Sequence, residues 1–142
     1  MNPSELLAYG QSLVETAGVS HPIRRAAART LYYAIHHEAC RRYFRKFPAG
    51  QPLNKISRHQ CLLDRFEEEE KTKGDRLAAT IRGQLHWLRR LRSIADYEIE
   101  AARCPSPQQL SVELRIAQEL MDRLERWAPG GPTRARDPVP LQ

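Results

Sequence analysis

The sequence predicts an all-α protein, an antiparallel bundle of about five helices. Apolar residues recur at spacings of three and four in successive stretches, and glycine, proline or capping residues separate these stretches. No window shows the period-two alternation of a strand. The chain of 142 residues is of a length suited to one domain, and its 41% hydrophobic content is enough for a core with a polar surface around it.

The first helix is predicted over residues 4–17. Ser4 is the expected N-cap, and Gly18 stands where a glycine commonly ends a helix. Apolar side chains share one side of this segment: Leu6, Leu13 and Ala17. One face is therefore expected to pack on the rest of the bundle.

The second helix, from Ser20 to Phe47, is the one around which the rest is expected to pack. Ser20 is a good N-cap, Pro22 suits the first turn, and no further proline or glycine occurs before Pro48. One side carries the small and apolar residues Ile23, Ala27, Leu31 and Ala34, and the opposite side carries Arg25, Arg29, Tyr32, His36 and Tyr43. Because a solvated face needs no tyrosines and histidines between its arginines, we expect this helix to be enclosed on most sides.

Two further helices are predicted on either side of the Gly74–Asp75 break. Ser57 is the expected cap of a short third helix with His59 in its first turn. The fourth helix is expected to continue to about Ala102, with a seam of regular 4-3 spacing: Ile81, Leu85, Leu88, Arg92, Ala95 and Ile99. These helices should therefore pack into the same core as the second.

The fifth helix is predicted to follow Pro105, with Ser106 as its cap. Its apolar stripe is formed by Leu110, Leu114, Ala117, Met121 and Leu124. Residues 129–142 contain four of the ten prolines and almost no core-forming side chains. We therefore expect a helical domain over residues 1–128 and a flexible tail over 129–142.

Charge and cysteine usage narrow the class of protein. A net charge of +6 permits nucleic acid or another polyanion as a partner. Cys40, Cys61 and Cys104 form no CxxC pair, so we expect reduced thiols in the cytoplasm. The sequence has no apolar run of membrane-spanning length, no paired metal-ligand spacing and no phosphate-binding glycine loop. No cofactor, metal ion or membrane is therefore expected.

Arg92 is the one charged residue in the apolar seam of the fourth helix. A guanidinium at such a position is costly unless a counter-charge or an anion accompanies it. Asp96 lies one turn later and could form a structural ion pair with Arg92. Alternatively, Arg92 points into a cleft or a dimer seam, where it would bind phosphate. Both interpretations stay open at the level of sequence.

His36 shares its helix face with Arg25, Arg29 and Tyr32. Arginine to hold a phosphate and histidine to exchange protons are the minimum equipment for RNA cleavage without a metal ion. A histidine that only packs in the core is the alternative. The predicted nucleic-acid-binding residues are Arg25, Arg29, Tyr32 and Arg92.

Three segments in order, RRAAARTLYYAIHHEACR, SRHQCLLDRF and LRRLRSIADYEI, resemble the small stand-alone HEPN proteins. The resemblance extends from about Glu5 to Trp127. It implies a helical homodimer of toxin-like or RNA-processing type, often encoded beside a minimal nucleotidyltransferase that acts as antitoxin. Catalytic members build a metal-independent ribonuclease site at the dimer seam from an arginine and a histidine four to six residues apart on the late helix. In this chain Arg92 matches the arginine, and Tyr97 stands where the histidine would come.

Two functional hypotheses follow. The first is a HEPN-type RNA-binding protein that acts as a metal-independent endoribonuclease in a toxin–antitoxin or defence setting. Arg92 would hold phosphate, His36 would exchange protons, and Arg29 or Tyr97 would assist beside Asp96. The second is a non-catalytic dimeric module that docks a nucleotidyltransferase or another partner. Both predict a homodimer with the second and fourth helices near the two-fold axis.

Overall fold

The computed structural model describes residues 1–18, 20–46, 58–97 and 104–127, and within these ranges the chain forms five helices and no strand. The helices are α1 (Pro3–Ala17), α2 (His21–Lys46), α3 (Arg58–Lys73), α4 (Arg76–Tyr97) and α5 (Pro107–Arg126). The predicted all-α bundle is confirmed, and each predicted helix has its counterpart.

The start of α1 differs from the prediction. Asn2, not Ser4, is the N-cap: its side chain accepts a hydrogen bond from the Glu5 backbone N–H at 2.8 Å, and the Glu5 carboxylate accepts one from the Asn2 N–H at 2.9 Å. Pro3 occupies the first turn, where its missing N–H is no loss. The predicted cap at Ser4 is therefore wrong, because this reciprocal capping box begins the helix earlier.

The predicted caps of α2 and α5 are confirmed. The Ser20 hydroxyl accepts a hydrogen bond from the Ile23 N–H at 3.4 Å. Ser106 accepts one from the Gln109 N–H at 3.1 Å, and the Gln109 side chain accepts one from the Ser106 N–H at 2.8 Å. Several sequence predictions lie outside the described residues: Phe47 as the last residue of the second helix, the cap at Ser57, the extension of the fourth helix to Ala102, and the tail over 129–142.

α2 is the central helix of the bundle. It packs against α1, α4 and α5 and makes a smaller contact with α3. Its completely buried side chains are Ala27, Ala28, Leu31, Ala34, Ile35 and Ala39. The enclosure expected for this helix is thus provided by other helices of the same chain.

A polar tie at one end of the bundle joins α5 to α4. The Trp127 indole N–H donates to the Asp75 carboxylate at 2.9 Å, and the same carboxylate accepts from the Ala78 backbone N–H at 3.0 Å in the first turn of α4. Trp127 also stacks on the Tyr43 ring of α2, with centroids 5.7 Å apart. This buried contact links the ends of α4 and α5 to α2.

Within the described ranges, none of the helices combines the length and the apolar character needed to cross a membrane.

Candidate nucleic-acid interface

Five aromatic rings gather where the first turn of α3 meets the middle of α2. We call this group the ring cluster; it consists of Tyr32, Tyr33, His36, His37 and His59. The His36 and His59 rings stack with centroids 4.2 Å apart, and Tyr32 stacks on His59 at 5.5 Å. The Tyr33 ring packs against the exposed His37 ring at 6.0 Å. The cluster therefore extends from the core to the surface.

A short hydrogen bond of 2.5 Å joins the Tyr32 hydroxyl to Nδ1 of His59. Burial raises the pKa of Tyr32 well above its ordinary range, although the charges of Arg89 and Arg92 oppose this shift. Tyr32 is therefore protonated at neutral pH, and the direction of this bond is coupled to the tautomer of His59: a hydroxyl that donates to Nδ1 places the His59 proton on Nε2.

His36, the predicted proton-transfer residue, is only 4% exposed. Burial lowers its pKa to about 3, and the neighbouring His59, His37, Arg58 and Arg89 act in the same direction. Its Nε2 lies 3.6 Å from the Cys40 sulfur, and its Nδ1 has no hydrogen-bond partner among the described residues. The ring is thus neutral at neutral pH, and its surroundings are those of a packing residue rather than of an acid or base.

His59 is more accessible than His36 and lies in a positive field. Burial first, and then the charges of Arg89 and Arg92, lower its pKa to about 4; His37 and Arg58 act in the same direction. Arg58 and Arg89 also act on His36 and lower its pKa further. A positive potential therefore converges on the two imidazole rings, and an anion bound beside them would be stabilised.

The predicted pair of Arg92 and Asp96 forms, with 3.2 Å between Nη1 and Oδ2. The other Asp96 oxygen accepts from Nε of Arg29 at 2.8 Å, so one carboxylate joins arginines from α2 and α4. The Arg92 guanidinium also lies over the rings of Tyr32 and Tyr33, 5.4 and 5.6 Å from their centroids. Arg92 is 8% exposed, and its Nε has no partner among the described residues. The pair is therefore a real structural contact at the rim of the core; a phosphate contact of Arg92 stays a prediction.

The structure brings most of the predicted site residues together. Five of them form one connected group through ion pairs and ring contacts: Arg29, Asp96, Arg92, Tyr32 and His36. Arg25 instead donates from Nη1 to the Ala95 carbonyl at 2.8 Å, which ties α2 to the backbone of α4. The Tyr97 side chain is 71% exposed, and its hydrogen bond to Arg92 helps to raise the pKa of that guanidinium against the opposing effect of burial.

Sequence reasoning gave no site role to His59, a member of the ring cluster, or to Arg58 and Arg89, which act on its histidines. Arg89 donates to the Gln60 side chain at 3.2 Å, which links α4 to α3. His59 was recognisable only as the histidine at the start of the third helix. The periodicity of the sequence gave no sign that Arg58 and Arg89 belong to the site.

Comparison with protein-family models, with curated proteins and with solved structures gives no match for this chain. The protein is therefore defined by its own fold and site. Over its described residues it is a five-helix all-α bundle, and arginines of α3 and α4 act on the histidines of its ring cluster. Among the described residues, no group of three His, Cys, Asp or Glu side chains is arranged to bind a metal ion.

Proposed function

We propose that this chain is a HEPN-type RNA-binding protein that binds RNA phosphates with Arg58 and Arg89 beside His59. The observation that carries the proposal is that Arg58 and Arg89 both act on the two imidazole rings, and Arg92 adds to the positive potential at His59. Arginine is well suited to phosphate, because its guanidinium donates two hydrogen bonds in parallel. The resemblance to HEPN proteins favours RNA over DNA as the polyanion.

The structure supports RNA binding better than it supports RNA cleavage in which the predicted catalytic residues take part. His36 is neutral and buried, and Asp96 engages both Arg29 and Arg92. A role for His36 in proton transfer would require this packing to open. The proposal therefore places RNA on the α3 and α4 side of the ring cluster.

RNA binding is tested by fluorescence anisotropy with a labelled single-stranded RNA over a series of salt concentrations. We expect Arg58→Ala and Arg89→Ala each to weaken binding and to reduce the slope of log K against log salt by about 1, since each removes one phosphate contact. Arg115→Ala is the matched control, because it removes the same charge from an exposed position on α5. Equal effects of all three variants, or no binding at 50 mM salt, would contradict the proposal.

A metal-independent endoribonuclease is the second candidate, and the Tyr32–His59 hydrogen bond favours it. A phosphate between the arginines would cancel part of the positive field and raise the pKa of His59 toward its ordinary value. His59 rather than His36 would then exchange the proton. In EDTA, we expect cleavage of mixed RNAs to be lost in His59→Gln and kept in His36→Gln. If the wild-type protein leaves the RNAs intact, the ribonuclease candidate is rejected and the proposal of RNA binding is unaffected.

We also propose a homodimer with α4 at its interface. Leu91 and Ile94 are half-buried on one side of α4, and Tyr97 is exposed at the end of this helix. A partner helix would bury the exposed parts of these apolar side chains. Docking of a nucleotidyltransferase, as the resemblance implies, would use a surface that the dimer leaves free.

A further inference from the structure

A separate cleft of about 360 Å³ lies between the last turns of α2 and the first residue of α3. We call it the arginine cleft; its lining residues are His37, Cys40, Arg41, Phe44, Arg45 and Arg58. It adjoins the ring cluster, because His37 belongs to both and Arg58 precedes His59. None of the predicted site residues lines it.

The charges of the arginine cleft are only partly compensated. Glu38 is buried and accepts hydrogen bonds from Arg41 at 2.8 to 3.1 Å and also from Arg42. Neither Arg45 nor Arg58 forms an ion pair with a carboxylate of the described residues, and Nε of Arg58 is buried without a hydrogen-bond partner there. Among the described residues, the cleft therefore presents about two positive charges that no carboxylate compensates.

The rest of the lining suits an uncharged group. Phe44 is 6% exposed and contributes an aromatic wall. Burial raises the pKa of the Cys40 thiol to about 11, so the thiol is protonated and neutral at physiological pH. The volume is near the lower end of the roughly 300–1,000 Å³ typical of ligand pockets. A cleft of this size suits a single nucleotide better than an RNA strand that continues through it.

We infer that the arginine cleft binds a phosphate monoester, the terminal phosphate of an RNA strand or of a free mononucleotide. A monoester carries a charge of roughly −1.5 to −2 near neutral pH, whereas an internal phosphodiester carries only about −1. Two uncompensated arginines therefore match a monoester in charge, and their forked N–H groups match its oxygens in geometry. This inference rests on the proposed RNA binding, which it extends to the end of the strand.

The test compares one short RNA with a 5′-phosphate, a 3′-phosphate or hydroxyls at both ends, labelled internally and measured at fixed salt. We expect one phosphorylated form to bind about tenfold more tightly than the hydroxyl form. Arg45→Ala should abolish this preference while the hydroxyl form still binds, because Arg45 lies in the cleft and not in the proposed RNA face. Arg115→Ala, which removes an exposed charge from α5, should keep the preference.

Adenosine monophosphate, titrated by calorimetry beside the three RNAs, separates the two sources of the monoester. Binding of adenosine monophosphate that is lost in Arg45→Ala supports the inference even if the protein binds no RNA, so the two proposals fail separately. Equal affinities for all three RNAs together with no binding of adenosine monophosphate would overturn it. A preference that persists in Arg45→Ala would overturn it as well, and circular dichroism checks that the variant is folded.

Discussion

At the scale of single residues, Arg92 and Glu113 are charged side chains in otherwise apolar helix seams, but their surroundings differ. Arg92 has the Asp96 carboxylate and two tyrosine rings around its guanidinium. Glu113 on α5 is completely buried, and neither of its oxygens has a hydrogen-bond partner among the described residues. Burial therefore raises its pKa to about 8, and the carboxyl is largely protonated at neutral pH.

Glu113 should make the protein less stable as pH rises. Its folded pKa of about 8 lies above the ordinary value of 4.5, so between these values the folded state keeps a proton that the unfolded chain has released. The free energy of unfolding should then fall with pH through this window, by up to about 1.4 kcal/mol per pH unit. Urea unfolding at pH 5 and pH 8 measures the difference.

Glu113→Gln should remove this part of the pH dependence, because the amide does not titrate. Glu119→Gln is its control, since Glu119 is exposed on the same helix and should keep the wild-type slope. If Glu113→Gln and wild type lose the same stability between the two pH values, the buried carboxyl is not the source.

The two partners of the rim ion pair should differ in their effect on stability. Asp96→Ala leaves Arg92 buried without a counter-charge and should lower the free energy of unfolding by about 3 kcal/mol. Arg92→Leu should stay within about 1 kcal/mol of wild type, because Asp96 keeps its ion pair with Arg29 and leucine suits the apolar seam. Asp122→Ala, which breaks an exposed pair, is expected to change stability by less than about 1 kcal/mol.

Thermal melts and urea titrations of these three variants provide the comparison. A loss of stability in Arg92→Leu as large as that in Asp96→Ala would mean that the guanidinium contributes more through its ring contacts than through the ion pair. RNA affinity measured on Arg92→Leu then tests its predicted phosphate contact independently of stability.

At the scale of helices, α1 lies close to α2 because Gly10 has no side chain. A Cβ built at Gly10 would lie 2.8 Å from Cδ2 of Leu31, and Leu31 is completely buried. At Gly83 on α4, a Cβ would meet no atom within 4 Å. The same substitution should therefore have opposite effects at the two glycines.

Gly10→Ala should lower the free energy of unfolding by about 1 kcal/mol, because overpacking outweighs the gain in helix propensity. Gly83→Ala should raise it by up to about 1 kcal/mol, because there only the propensity gain applies. Urea unfolding of the two variants checks both signs. A stabilised Gly10→Ala would show that α1 shifts away from Leu31 at little cost.

At the scale of the whole molecule, the predicted homodimer depends on α4 more than on α2. The apolar and aromatic faces of α2 are covered within the chain, so they no longer argue for a partner. Light scattering at tens of micromolar should give twice the chain mass of 16.4 kDa. Leu91→Asp should yield a folded monomer, whereas His86→Asp, at an exposed position of the same helix, should stay dimeric.

A wild-type mass equal to one chain at that concentration would rule out the dimer under these conditions. A dimeric Leu91→Asp variant would instead place the interface away from this side of α4.

The sequence by itself determined the five helices of the described ranges, the starts of α2 and α5, and one contact of the site. Helix periodicity, the caps at Ser20 and Ser106, and the four-residue spacing of Arg92 and Asp96 all depend on neighbours along the chain. Interactions of this kind act over one or two turns and can be recognised without the fold. The first cap was misplaced because Asn2 and Ser4 are both good capping residues, and the side chain of Glu5 completes the box with Asn2.

Only the tertiary structure decided which side chains meet across helices. Asp96 reaches Arg29, 67 residues earlier in the chain, and Tyr32 meets His59, 27 residues later. Packing also buried His36 and left Glu113 without a hydrogen-bond partner among the described residues, although the interruption of the α5 seam at Glu113 is visible in the sequence. These outcomes depend on how the helix faces pack together, and periodicity identifies a face without identifying the face it meets.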